Sequence, residues 1–140
     1  LDQIEPLVKM SGATVVFNAD ENEPVVNADK AHLQLVIINL LENALKYSND
    51  QPHIIIQLKD RDDDFYSISV KDNGIGIEKK NLKFLFKKFY RVPTGNVHNV
   101  NGFGLGLNFV KKVIDAHNGK ISINSVPGIG TEFNMQLPKK

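Results

Sequence analysis

The sequence predicts an α+β fold, a two-layer α/β sandwich whose mixed sheet of about five strands is covered on one face by three helices. Apolar residues recur at three- and four-residue steps in three long runs, as in helices that bury one face. Short β-branched or alternating runs lie between and around them, bounded by Gly, Pro, Asn or Asp. The 140 residues suit one domain with one core, and no internal repeat is present.

Leu1 to Met10 carries apolar residues at 1, 4, 7 and 8 and reads as a short helix, or the tail of a longer one entering from upstream. Leu1 is not an initiator Met, so the chain is expected to be part of something longer. Gly12 ends this segment, and the β-branched and aromatic run Thr14 to Ala19 reads as a strand. After a polar turn at Asp20 to Glu23, Val25 to Ala28 reads as a short strand. Asp29 is placed to cap a helix over Ala31 to Tyr47, because its carboxylate can accept an orphan N–H of the first turn. Leu33, Val36, Ile37, Leu40, Leu41, Ala44 and Leu45 form its buried face, and Asn49 to Pro52 ends it.

His53 to Lys59 and Phe65 to Lys71 predict a β-hairpin. The tip, Asp60-Arg61-Asp62-Asp63-Asp64, reads as a solvated charged turn rather than a metal cluster. Glu78 to Phe89 is helical in pattern, with Leu82, Leu85, Phe86 and Phe89 on one side. Residues 92 to 104 are rich in Gly and Asn and lack periodicity, a length of loop that is usually functional. Leu105 to His117 resumes helical spacing, with Leu107, Val110 and Ile114 inward and Gly119 as the C-terminal cap signal. Lys120 to Val126 and Thr131 to Pro138 alternate as strands around Pro127-Gly128-Ile129-Gly130.

Bulk properties remove several function classes. A formal net charge of +1 gives no electrostatic case for nucleic acid or an anionic membrane. Cysteine is absent, which excludes disulfides and thiolate metal sites. No apolar run reaches the roughly 18 residues of a membrane span, and no signal peptide is visible.

Two features ask for a functional reason. Asn39, Asn43, Lys46 and Tyr47 fall at i, i+4, i+7 and i+8 of the long helix, a polar stripe poor in the Glu, Lys and Gln that fill a solvent face. Glycines cluster at Gly74/Gly76, Gly102/Gly104/Gly106 and Gly128/Gly130, where backbone can approach a ligand closely. Each cluster alone could be turn punctuation. The Rossmann fingerprint fails at Leu107, the Walker A pattern fails after Gly119-Lys120, and the eukaryotic-type protein kinase signature is missing.

The ordered set is more specific than its parts. It runs Asn39-x3-Asn43-x2-Lys46-Tyr47, Asp72-x-Gly74-x-Gly76, Phe86-x2-Phe89-Tyr90-Arg91, Gly102-x-Gly104-x-Gly106-Leu107 and Gly128-x-Gly130-Thr131. This resembles the catalytic, ATP-binding domain of sensor histidine kinases, in the superfamily shared with DNA gyrase, mismatch-repair ATPases and heat-shock chaperones. The resemblance spans about residue 12 to 138 and matches the family's N, G1, F, G2 and G3 boxes. It implies a Bergerat-type ATP-binding fold and a single catalytic domain over 1–140. Residues 1–11 would be the tail of an upstream linker or dimerisation region.

The resemblance also implies roles. Asn43 would coordinate Mg²⁺, with Asn39 supporting the same corner. Lys46 would approach the phosphates, and Tyr47 would line the pocket. Asp72 would accept the adenine amine, Gly74 and Gly76 would pass close to the base, and Thr131 would complete the adenine contact. Arg91 would reach the γ-phosphate. Residues 92 to 104 would form the ATP lid, with Gly104 and Gly106 cradling phosphates. Ile77, Phe89, Gly102, Leu105 and Leu107 complete the expected nucleotide-binding set. Phe86 and Phe89 also read as packing residues. None of His32, His53, His98 and His117 is given a catalytic role, although His98 falls in the lid.

The family's hydrolases resemble one another in placing a Glu four residues before the metal-binding Asn, where this chain has Asn39. Glu42 stands about 100° round the helix from Asn43. Transfer to an outside nucleophile is therefore expected over hydrolysis. That nucleophile would be a histidine in the separate dimerisation domain of the same kinase, reached in cis or in trans, with a response regulator downstream. The isolated domain is expected to be a monomer from the cytoplasmic part of a membrane-anchored parent. Phe103 departs from the Thr or Ser common in the lid. A non-catalytic nucleotide-sensing module and an ATPase are the alternative readings.

Overall fold

The computed structural model describes residues 9, 12–19, 28–48, 51–87 and 105–139. Five strands, β1 Thr14–Ala19, β2 His53–Asp60, β3 Phe65–Asp72, β4 Lys120–Val126 and β5 Gly130–Pro138, form one sheet in the order β1-β2-β3-β5-β4. β1 runs parallel to β2 and every other pairing is antiparallel. Mixed pairing follows from connection length: β1 and β2 are joined through a helix, whereas β2–β3 and β4–β5 are hairpins. Three helices, α1 Lys30–Lys46, α2 Lys79–Leu82 and α3 Leu105–Ala116, accompany the sheet. No helix among the described residues is long and apolar enough to cross a membrane.

The period of two sorts the sheet into faces. Ile54, Ile56, Val70, Phe133, Met135 and Leu137 share the helix side and are buried, while Gln57, Ser67, Asn134 and Gln136 share the other. Val36, Leu40, Leu41 and Ala44 of α1 and Val110, Val113 and Ile114 of α3 close the same core. The inward positions expected from helical spacing are therefore the ones that pack, with Leu33, Ile37, Leu45 and Leu107 partly buried against them.

Asp29 caps α1 by accepting the His32 N–H at 3.0 Å. That bond is the main reason its carboxyl lies below the ordinary value. At the far end of α3, Gly119 N–H bonds to the Ile114 carbonyl at 2.9 Å and Asn118 N–H to that of Asp115 at 3.1 Å, a Schellman cap. The left-handed residue is Asn118, with φ 60°, and not the Gly119 singled out from the sequence. Asn tolerates that conformation because its short polar side chain can bond locally.

The second helix is shorter than Glu78 to Phe89. After Leu82 the chain turns through Phe84 N–H to Asn81 O, Leu85 to Leu82 and Lys87 to Phe84, each spanning three residues. Leu85 is still buried and Phe86 still packs on the core, so the apolar spacing holds while the helix does not. The strand expected at 25–28 falls mostly outside the described residues, and Ala28 itself sits in a bend. The hairpin tip is a turn in which Asp62 accepts the Asp64 and Phe65 N–H groups.

His117 ties α3 to α1. Its Nε2 accepts the Asp29 N–H at 2.9 Å, and its Nδ1 lies 2.7 Å from the Val113 carbonyl. Only the neutral tautomer protonated on Nδ1 satisfies both. His117→Phe is expected to cost about 0.5–1.5 kcal/mol, the net worth of one hydrogen bond, because the Asp29 N–H is exposed and water can take the place of Nε2. Urea unfolding checks this, and an unchanged midpoint would refute the clasp.

Candidate functional site

The strand register brings distant polar residues to one end of the sheet. Asp72, the last residue of β3, stands opposite Thr131 of β5, and Thr131 stands opposite Ser125 of β4. Asp72 Oδ1 accepts the Gly74 N–H at 2.9 Å and, at a longer 3.3 Å, the Thr131 N–H. Burial pushes the Asp72 carboxyl above the ordinary carboxylate value, and the two N–H groups pull against it. Among the described residues neither donor reaches Oδ2. A half-buried carboxylate with one oxygen committed to the backbone can accept from a ligand amine through the other.

The loop after β3 is held from three sides. Ile75 N–H bonds to the carbonyl of Tyr47, the residue that closes α1, at 3.0 Å. Gly128 N–H in the β4–β5 turn bonds to the Ile75 carbonyl at 2.8 Å. Ile77, buried, gives its N–H to Ser125 Oγ at 2.7 Å. Gly74 presses on the Tyr47 carbonyl and Gly76 on that of Val126, so a side chain at either would collide with backbone. Asn73 staples the loop to β2, accepting the His53 N–H at 2.8 Å and donating to the Gln51 carbonyl at 3.2 Å.

The stripe on α1 adjoins this corner through Tyr47. Asn39 and Asn43 are partly buried, and Asn43 borders the buried face formed by Val36, Leu40, Leu41 and Ala44. Lys46 is exposed and Tyr47 partly buried. Gly106, in the first turn of α3, faces Asn39: a Cβ built on it would lie 3.2 Å from Asn39 Oδ1. Asn108, two residues on, donates to the Phe86 carbonyl at 3.0 Å and ties the start of α3 to the stretch after α2.

Among the described residues no group of three His, Cys, Asp or Glu could cage a metal by itself. A bound cation would have to take most of its ligands from phosphate and water, the habit of Mg²⁺, with an amide oxygen such as that of Asn43 as the protein ligand.

The structure thus brings Asn39 near Gly106, and Tyr47 near Gly74 and Ile75; Asp72 meets Thr131, and Ile77 joins Ser125. Leu107 packs against the core. Phe89, Arg91, His98, Gly102, Phe103 and Gly104 lie outside the described residues, as does the side chain of Leu105. Ser125, Asn73 and Asn108 were not anticipated. Ser125 alone had a signal, as the cross-strand partner of Thr131 across the Pro127–Gly130 turn.

Residues 28–140 match the family described as histidine kinase-, DNA gyrase B-, and HSP90-like ATPase. The chain is 43% identical over 132 residues to the sensor protein RprX of Bacteroides fragilis, covering 94% of this chain and 25% of that protein. It is 34% identical over 141 residues to the sensor histidine kinase WalK of Bacillus subtilis, covering 100% of this chain and 23% of the relative. It thus spans about a quarter of these relatives. Among solved structures, the catalytic domain of the histidine kinase ThkA, nucleotide-free, superposes with TM-score 0.83 at 27% identity, covering 99% of this chain and 88% of that one. The mycobacterial sensor histidine kinase MprB has TM-score 0.85 over 99% and 92% of the two chains, a likeness of fold at 24% identity.

Proposed function

The chain belongs to the family of histidine kinase-, DNA gyrase B- and HSP90-like ATPases, and from that premise we propose that it binds ATP with Mg²⁺ and hands the γ-phosphoryl group to a histidine in a separate domain of its own sensor kinase. The observation that carries the reading is the Asp72 corner, where a half-buried carboxylate takes both backbone N–H groups on one oxygen, with Thr131 beside it. That pairing suits adenine, whose exocyclic amine donates where guanine presents a carbonyl. Bound Mg²⁺ would offset phosphate charge and hold the phosphate oxygens in a fixed arrangement. Asn43 would ligate it through the amide oxygen, and Asn39 would brace the same corner against the start of α3. Lys46, exposed at the end of α1, would approach the phosphates as a point charge. Arg91 is assigned to the γ-phosphate on the resemblance alone.

Transfer is favoured over hydrolysis by the chemistry of Asn39. Its amide cannot take a proton from water, so the position four residues before Asn43 supplies no general base. The receiving histidine, the response regulator and the cytoplasmic setting belong to the parent protein and are part of the same proposal.

Calorimetric titration with ATP and GTP, with and without Mg²⁺, tests the reading. ATP is expected to bind more tightly than GTP, and Mg²⁺ to strengthen ATP binding. Asn43→Ala should remove the Mg²⁺ enhancement, roughly tenfold or more for a lost inner ligand, while leaving Mg²⁺-free ATP binding in place. Equal affinity for ATP and GTP, or an undiminished Mg²⁺ effect in the variant, would sink it.

A further inference from the structure

Within the nucleotide reading, we infer that Ser125 is a positioning residue for base recognition, because its hydroxyl decides which way the Thr131 hydroxyl presents its proton. Ser125 Oγ has three neighbours: the Ile77 N–H at 2.7 Å, the Thr131 hydroxyl at 2.8 Å and the Gly130 carbonyl at 3.1 Å. A serine hydroxyl has one proton and two lone pairs. The Ile77 N–H takes one lone pair whatever else happens.

Two arrangements remain for the rest. Ser125 can donate to the Gly130 carbonyl and accept from Thr131, which leaves Thr131 only lone pairs for a ligand. Alternatively Ser125 donates to Thr131 Oγ1, and Thr131 aims its own proton outward. The Ser125–Thr131 bond exists in both, so the Gly130 contact, which only the first arrangement uses, decides between them when a ligand accepts the Thr131 proton. At 3.1 Å that contact lies beyond the usual O–H···O range, so the second arrangement gives up little by leaving it, and the 2.8 Å bond to Thr131 is kept with its direction reversed.

Adenine asks for the second arrangement. Its amine donates, to Asp72, and the adjacent ring nitrogen N1 accepts. Thr131, whose backbone N–H already reaches Asp72 Oδ1, is the neighbouring hydroxyl that can serve N1 directly or through one water. Thr131 is buried, at 6% exposure, so its hydroxyl cannot obtain its orientation from bulk solvent. Ser125 supplies that orientation and, through Ile77, fixes the loop on the opposite wall by the same atom.

The probe is 1-deaza-ATP, in which C–H replaces N1. The wild-type chain is expected to bind it roughly tenfold more weakly than ATP, the scale of one good hydrogen bond. In Ser125→Ala and in Thr131→Val that penalty should shrink to within about twofold, and the double variant should be no worse than Thr131→Val alone. Ser125→Thr, which keeps the hydroxyl, should restore it. A merely structural serine would weaken both nucleotides equally and leave the penalty intact. A full penalty in Ser125→Ala, additive losses in the double variant, or no penalty in the wild type would each overturn the inference. Should Ser125→Ala fail to fold, Thr131→Val decides: a penalty that survives there shows that the proton does not come from Thr131. Failure of the wild type to bind ATP would overturn the nucleotide reading as well, whereas tight ATP binding with an unchanged penalty would overturn only the role of Ser125.

Discussion

Asp72→Asn is expected to lower ATP affinity on the order of 100-fold without weakening the fold, because the change reverses the hydrogen-bonding sense of one atom and preserves the rest. The Asn carbonyl oxygen can take the place of Oδ1 and keep accepting from Gly74 and Thr131. The amide nitrogen then replaces Oδ2 and opposes a donor to the adenine amine. Two donors left facing each other in a half-buried site are penalised far more than a lost bond in water.

The stability side has a definite sign. Burial raises the folded-state value of the Asp72 carboxyl above that of an unfolded chain. The fold therefore holds the proton more tightly, so the contribution of this group to stability is fully present in acid and is lost as pH rises through the folded value. At neutral pH the ionised carboxylate weighs against folding, and Asn removes that penalty. The variant should melt at or above the wild-type temperature at neutral pH, with the gap closing on acidification. ATP affinity of the wild type should itself decline as acid protonates Asp72. Calorimetry across pH, paired with melting curves, reads both effects. Loss of binding accompanied by loss of fold would make Asp72 a structural residue and remove the base-recognition argument.

The legible parts of the molecule were those in which local pattern and tertiary environment agree. α1 was readable from Asp29 through Leu45 because a capping carboxylate and a wide apolar face act within one helix. The β2–β3 hairpin was readable for a similar reason, since alternation and a charged tip are both local. α2 was harder, because Leu82, Leu85 and Phe86 keep helical spacing while the backbone tightens into three-residue turns. Spacing reports which side is buried and is blind to that difference. The Asp72, Thr131 and Ser125 cluster is harder still. Asp72 and Thr131 are 59 positions apart, and they meet only because β5 inserts between β3 and β4. Strand order is a global property. Asp72 and Thr131 could be named from the motif order of the family, but Ser125 needed the register itself.

Gly130→Ala should be the most damaging small substitution near the site, at roughly 3–5 kcal/mol, the sum of a disallowed backbone conformation and a collision that no rotamer relieves. Gly130 has φ 148°, a region that side-chain-bearing residues rarely adopt, and a Cβ there would enter the carbonyl oxygen of Asp72. The obstructing groups, the Asp72 carbonyl and Asn73 Cα, are main chain, so relief requires β5 to part from β3 where Asp72 pairs with Thr131. Gly128, two residues earlier in the same turn, separates the causes. It also has positive φ, 81°, but a Cβ there meets nothing within 4 Å. Gly128→Ala should therefore cost only the conformational strain, about 1–2 kcal/mol, and leave nucleotide affinity nearly untouched. Gly130→Ala should lose stability and ATP affinity together, since Asp72 and Thr131 are positioned through that contact. Urea unfolding and ATP titration of the two variants side by side decide it. Equal losses at the two glycines would mean that turn conformation alone sets the geometry here, and that the close approach of Gly130 to Asp72 does not hold the base-recognition corner together.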